Sequence, residues 1–300
     1  MWIIIEYFIS GEISPRNFLQ VLIICICFSC TKEIELDSSC QPDMYVLNSL
    51  ISSQEDIQFF LGQTSLMSDT SGNSIEELSV ILLENGINVA ADAERTNDCF
   101  NLHYKPIEGK YYRIEIYLIG QNDPLIAEDS VPSSIQLTDA TYRFPVYKDQ
   151  HDMTWGDLKI TFADEKNTSN FYELVLLNRS SRLIQAFNVN NPAISQDSEK
   201  DPILLPTMLF TDETFKDSTI VLHVFTDVSD NPTILLRNVS YNFYQYKKNL
   251  YQHLNNQNIS RYDIYDIFKG DPMDLYSNVI NGLGIFAAYS QSLLIARSEQ

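Results

Sequence analysis

From residue 44 onward, short apolar runs follow one another with polar punctuation between them, the pattern of a chain built from strands. MYVLNSLIS (44–52) and IQFFLGQ (57–63) predict the first two. LSVILLENGINV (78–89) places Asn85-Gly86 between two apolar runs, a hairpin signal because both residues tolerate the positive φ of a tight two-residue turn. In YKPIEGKYYRIEIYLIG (104–120), Tyr112, Ile114, Ile116 and Leu118 alternate with Tyr111, Arg113, Glu115 and Tyr117, which predicts a strand with one buried face. Its lead-in, Pro106 to Gly109 followed by Tyr112, matches the turn-then-tyrosine arrangement common at the entry of a late strand in immunoglobulin-like sandwiches. About seven strands and no helical run over 43–131 predict a small β-sandwich of that kind.

Val131-Pro132-Ser133-Ser134 interrupts the pattern and marks a boundary. Beyond it, GDLKITFAD (156–164), NFYELVLLN (170–178) and STIVLHVFTD (218–227) predict a second β-rich domain over 132–300, sandwich or barrel-like. NNPAISQDSEKDP (190–202) reads as a long polar loop. One prominent helix is expected near 240–255, because Val239, Phe243, Tyr246, Leu250 and Leu254 recur at spacings of three and four. That stripe is read as core rather than binding surface. The chain then runs through YSNVINGLGIFAAYSQSLLIA (276–296), where Asn281-Gly282 feeds a last strand.

The N-terminal segment follows different rules. FLQVLIICICF (18–28) is long enough for a signal peptide and too short to span a bilayer as a helix. It ends at Ser29-Cys30, after which the chain turns polar at TKEIELDSS. A small residue, then cysteine, then polar chain is the order a lipoprotein signal requires, so residues 1–29 are expected to be removed and Cys30 to carry the acyl groups. Cys27 in place of leucine three residues earlier, and Arg16 as the sole positive charge ahead of the apolar run, depart from the usual pattern. Residues 1–14 look like no part of a signal and read as over-translation from an upstream start. Residues 30–42 form a polar, lipid-anchored tether. Of the five cysteines, only Cys40 and Cys99 then remain in the body, a candidate disulfide in an oxidising compartment.

Charge narrows the functional classes. The chain has 40 acidic and 20 basic residues, and removal of Glu6, Glu12 and Arg16 with the signal leaves 38 and 19. Such a body lacks the basic face with which proteins displace phosphate counterions, so no nucleic-acid partner is expected. His103, His151, His223 and His253 are scattered, with no HExxH. His223 reads as structural within its strand, and His253 late in the helix suits the dipole. No GxSxG, Walker loop or GxGxxG follows a strand, and no metal-ligand spacing appears. We read the chain as non-catalytic, with no metal and no cofactor.

Cys30 after a short signal, the immunoglobulin-like first half, the YNFYQYKKNLYQHLNN helix and the terminal YSNVINGLGIFAAYS together resemble a family of Bacteroidota outer-membrane lipoproteins of unknown function (number four-two-four-nine). The most specific stretch is Ser277 to Phe286, with Asn278, Asn281, Gly282, Gly284 and Phe286 as its marked positions. The resemblance implies an accessory role beside a TonB-dependent receptor in capture or uptake at the outer membrane, and it lends no catalytic residues. Thr31-Lys32-Glu33-Ile34-Glu35 resembles the signal that sends such lipoproteins to the cell exterior. Asp129-Ser130-Val131 and Asp217-Ser218-Thr219 resemble a short O-glycosylation motif with Ser130 and Ser218 as acceptors. Two other readings stay open: a stand-alone glycan- or peptide-binding module, with Trp155 and the tyrosines as a stacking platform, and a secreted hydrolase.

Overall fold

The chain divides into two compact units, Met1–Pro42 and Asp43–Gln300. A computed structural model describes residues 44–64, 75, 78–90, 92–96, 99–164, 168–184, 187–189, 207–213, 215, 219–257 and 274–299, all in the second unit. Cys30, the residues of the signal and tether, Cys40, Ser218 and the loop 190–202 lie outside the described residues.

The protein is mainly β. Along the first half run β1 (Tyr45–Ser52), β2 (Gln58–Gln63), β3 (Leu78–Glu84), β4 (Ile87–Ala90), β5 (Glu94–Thr96), β6 (Cys99–Asn101), β7 (Tyr111–Leu118) and β8 (Leu125–Ser130). The second half contributes β9 (Leu137–Lys148), β10 (Thr154–Ala163), β11 (Phe171–Leu177), β12 (Phe187–Val189), β13 (Met208–Thr211), β14 (Thr219–Thr226) and β15 (Thr233–Val239). The helix α1 (Tyr241–Gln257) precedes β16 (Leu283–Ile295) and β17 (Arg297–Ser298).

These strands form three sheets. The largest has the order β13-β11-β15-β16-β1-β2-β6-β5; the others are β12-β14-β10-β9-β17 and β4-β3-β7-β8. One end of the large sheet packs on the four-stranded sheet through Leu47, Phe59, Val80, Tyr112, Ile114 and Phe286. Its other end packs on the five-stranded sheet through Leu158, Phe162, Tyr172, Leu174, Leu222 and Leu236. Two cores therefore share one sheet, and β16 sits at the junction. It pairs parallel to β1, with Val46 opposite Leu283, and antiparallel to β15, with Val239 opposite Tyr289. Phe286 and Ala288 point into the first core, while Ile285 and Ala287 meet α1 on the opposite face.

Local chemistry accounts for the elements. Asn85 and Gly86 both have positive φ (47° and 84°), and β3 and β4 pair on either side of them. In β7 the alternating set Tyr112, Ile114, Ile116 and Leu118 is buried. The Ile107 amide donates to the Tyr112 hydroxyl at 2.8 Å, the bond that defines a tyrosine corner. That hydroxyl in turn donates to Glu84, as does Tyr104, at 2.7 and 2.6 Å. Together the two phenols, Tyr104 foremost, hold the Glu84 carboxyl below its ordinary range.

The helix departs from its expected stripe. Val239 is the last residue of β15, and Ser240 caps α1 by accepting from the Phe243 amide at 3.1 Å. Among its described side chains Phe243 and Tyr251 are the buried ones, whereas Leu254 is 46% exposed. The strand end and the first helical turn enter one small apolar cluster, so Val239 and Phe243 stand together without sharing a helix.

Candidate functional site

The five-stranded sheet turns one face to its core and the other outward. On β10, Leu158, Ile160 and Phe162 point in, so Trp155, Asp157, Lys159 and Thr161 point out. Parity on β14 places Val221, His223 and Phe225 outward beside them. A bulge between Trp155 and Asp157 brings Trp155 opposite Tyr147 on β9. The Tyr147 and Trp155 rings lie within 10° of parallel with centroids 6.4 Å apart, and Phe225 meets the Tyr147 edge at 5.5 Å. Tyr147 is 41% exposed, with exposed Val146 and Met153 beside it, while Trp155 and Phe225 are half-buried.

The strip is held in place. The indole N–H of Trp155 donates to Asp149 Oδ2 at 3.0 Å. Asp149 Oδ1 accepts from the His151 and Met153 amides at 2.8 and 3.0 Å, which closes the turn between β9 and β10. These bonds, the indole foremost, hold the Asp149 carboxyl below its ordinary range. One rung along, His223 Nδ1 lies 3.1 Å from Asp157 Oδ1. An aromatic strip with polar groups at its rim suits non-covalent recognition. Trp155 was legible in the sequence as a stacking residue. Tyr147 was legible only as one tyrosine among many and Phe225 not at all, because their adjacency depends on the β9–β10 bulge and on the pairing of three strands.

The marked positions of the C-terminal stretch are brought together elsewhere, around β16. Asn278 behaves as a surrogate strand: its Oδ1 accepts from the Phe286 amide at 3.0 Å and its Nδ2 donates to the Phe286 carbonyl at 2.7 Å. Asn281 (φ 63°) donates to the Pro124 carbonyl at 2.8 Å. Gly282 lies against Tyr45 and Leu125, where a Cβ would come within 2.8 Å of the Tyr45 carbonyl oxygen. Gly284 has φ +107° and lies directly over the Leu47 backbone. Phe286 is fully buried. These contacts fix the turn ahead of β16 and fasten it to β1 and to the start of β8.

Asp129 anchors the same junction. Its carboxylate accepts from the Ser240 hydroxyl, from the Ala288 amide at 2.9 Å and from the Ser130 amide at 2.8 Å. It thus ties β8 to β16 and to the N-terminus of α1. Burial pushes its pKa up to about 6 while those donors oppose the shift. Because the folded value lies above the ordinary 3.8, the folded state binds the proton more tightly. The stability this group contributes is fully present below pH 3.8 and is lost as pH rises through 6, a span of about 3 kcal/mol. Urea unfolding of the parent and of Asp129→Asn from pH 4 to 7 should show their difference moving against the parent as pH rises. A difference that stays flat would refute it.

The remaining expected residues are placed as follows. Ser130 is exposed at the end of β8. Cys99 is half-buried, its sulfur 3.3 Å from the Thr96 carbonyl oxygen. His103 Nε2 is 2.6 Å from Glu94 on the surface. Among the described residues, no group of three or more His, Cys, Asp or Glu is placed to hold a metal ion, and no helix is long and apolar enough to cross a membrane.

Sequence reading gave no functional weight to Glu173, in the middle of the apolar run FYELVLL. It is fully buried beneath α1. Arg237 Nη1 lies 2.7 Å from its Oε2, Lys247 Nζ 3.6 Å from its Oε1, and the Thr207 hydroxyl donates to Oε1 at 2.9 Å. The hydroxyls of Thr207 and Tyr251 bond to each other. Arg237 also stacks on Tyr289, 4.8 Å from the ring centroid.

No curated protein matches this sequence. The model of the family described as Domain of unknown function (DUF4249) matches residues 31–293, a span that runs from the residue after Cys30 nearly to the end of β16. With that match over most of its length, the chain belongs to the DUF4249 family.

Proposed function

We propose that the protein is a lipid-anchored, non-catalytic binding protein of the Bacteroidota outer membrane, facing the cell exterior and serving a TonB-dependent receptor in nutrient capture. The observation that carries the binding role is the Tyr147–Trp155–Phe225 strip on the outward face of a sheet whose turn is braced by Asp149. Supporting the anchor is the order Ser29-Cys30 followed by a polar tether. An immunoglobulin-like reading of the 43–131 lobe is supported by the Tyr112 corner. A tether of about a dozen residues holds the body within a few tens of Å of the membrane, which gives a neighbouring barrel a high effective concentration without a large interface.

Affinity purification of the tagged chain from detergent-solubilised outer membrane is expected to bring down a β-barrel receptor. Proteinase added to intact cells should remove the body. Cys30→Ala should lose acyl labelling and, with it, the barrel. If no barrel co-purifies from membranes in which Cys30 is acylated, the partnership is refuted. Labelling that persists in Cys30→Ala would refute the anchor, and a body that survives until lysis would refute the outward orientation.

A further inference from the structure

We propose that the outward face carrying Tyr147, Trp155 and Phe225 is a stacking site for a neutral glycan chain. The inference rests on the binding role just proposed for this face and names its ligand. The first argument is geometric. Two rings lie within 10° of parallel on adjacent strands, and the indole is fixed by its bond to Asp149 rather than left to choose a rotamer. A ligand meeting such rings loses little to side-chain ordering, and ring faces accept the apolar C–H face of a pyranose.

The second argument is what the face withholds. β10 is bonded to β9 on one side and β14 on the other, β12 covers β14 at Val224–Thr226, and β17 pairs with β9 only at Thr141 and Tyr142. Around Asp157 and Phe225 the backbone is committed to ladders on both sides, and the outer edge of β9 beside Tyr147 is blunted for an added peptide strand by Pro145 and the bulge opposite Gly156. Contact falls to side chains. Beside the rings stand Asp157 and His223, 3.1 Å apart, and Arg143 opposite Asp157 on β9. These planar donors and acceptors, spaced one rung from an aromatic surface, match hydroxyls on the edge of a sugar ring.

The third argument is charge. The chain carries a formal net charge of −20, which disfavours nucleic acids and uronate- or sulfate-bearing glycans and leaves neutral ones unopposed.

Trp2 and Trp155 are the chain's two tryptophans. In the full chain carrying Trp2→Phe, held in detergent, indole emission therefore reports on this face alone. Titration with cellohexaose, maltohexaose and mannohexaose is expected to give a saturable change with at least one of them. Calorimetry with that sugar should show at least a tenfold weaker affinity in Tyr147→Ala and in Trp155→Ala, both with circular dichroism and melting matched to the parent. No response to any of the three overturns the proposal. So does a response to an unstructured peptide in place of the sugars, or sugar binding that survives both substitutions. Glycan silence with a co-purifying barrel would sink this inference and leave the receptor partnership standing, whereas glycan binding without a barrel would do the reverse.

Discussion

Replacing Glu173 with alanine is expected to lower the unfolding free energy by about 4 kcal/mol, from the 3–5 kcal/mol typical of removing one partner from a buried ion pair. Two cations converge on this carboxylate beneath α1. The side chains of Arg237 and Lys247 are only 22% and 21% exposed, so solvent cannot take over the missing counter-charge. Thr207 would lose its acceptor as well. The surface pair Arg297–Asp139 is the contrast: at 75% and 44% exposure its loss should fall below about 1 kcal/mol. Urea unfolding followed by circular dichroism distinguishes the two. The double substitution Glu173→Ala/Arg237→Ala should cost less than the sum of the singles, because each single leaves a charge stranded. A loss below about 1 kcal/mol in Glu173→Ala would mean the cluster is solvated after all, and the account of α1 docking would fail with it.

Gly284→Ala should be comparably severe, at about 3 kcal/mol or more. A positive φ of 107° strains any side-chain-bearing residue, at about 1–3 kcal/mol. The new Cβ would also fall on the Leu47 carbonyl, so β1 and β16 would have to separate, adding a further packing cost of about 1–3 kcal/mol. Gly62 on β2 is the internal control, since a Cβ there meets nothing within 4 Å. Gly62→Ala should stay within about 1 kcal/mol of the parent, on either side. If the two substitutions melt alike, close approach at Gly284 does not govern the pairing.

What the sequence made legible was local. Alternation at Tyr112, Ile114, Ile116 and Leu118 foretold the buried face of β7, and Asn85-Gly86 foretold the β3–β4 turn, because both signals lie within a few residues. β9 went unseen: polar residues interrupt its apolar set, and Pro145 breaks the strand pattern. Glu173 looked like the polar member of a strand, and only the helix lying over it explains its burial. Asn281-Gly282 read correctly as turn chemistry, and Asn278 as a marked position beside it. Their partners, Phe286 excepted, lie far away in the chain, among them Pro124, Glu128 and Tyr45, and no periodicity reports such distances. For the candidate site, Trp155 was visible by residue type, whereas the strip itself exists only in the register of three strands.

The position of β16 has a consequence in time. Residue 46 cannot complete its parallel ladder until residue 283 is present, and the same strand finishes the sheet on the side of β15. A chain that emerges from its N-terminus therefore exposes the apolar edge of β1 until nearly all the chain is out. Closing so long a loop is entropically costly and slow. Under the export proposed above, this delay keeps both lobes from finishing their shared sheet early in transit, because β16, delivered near the end, is the strand that locks both.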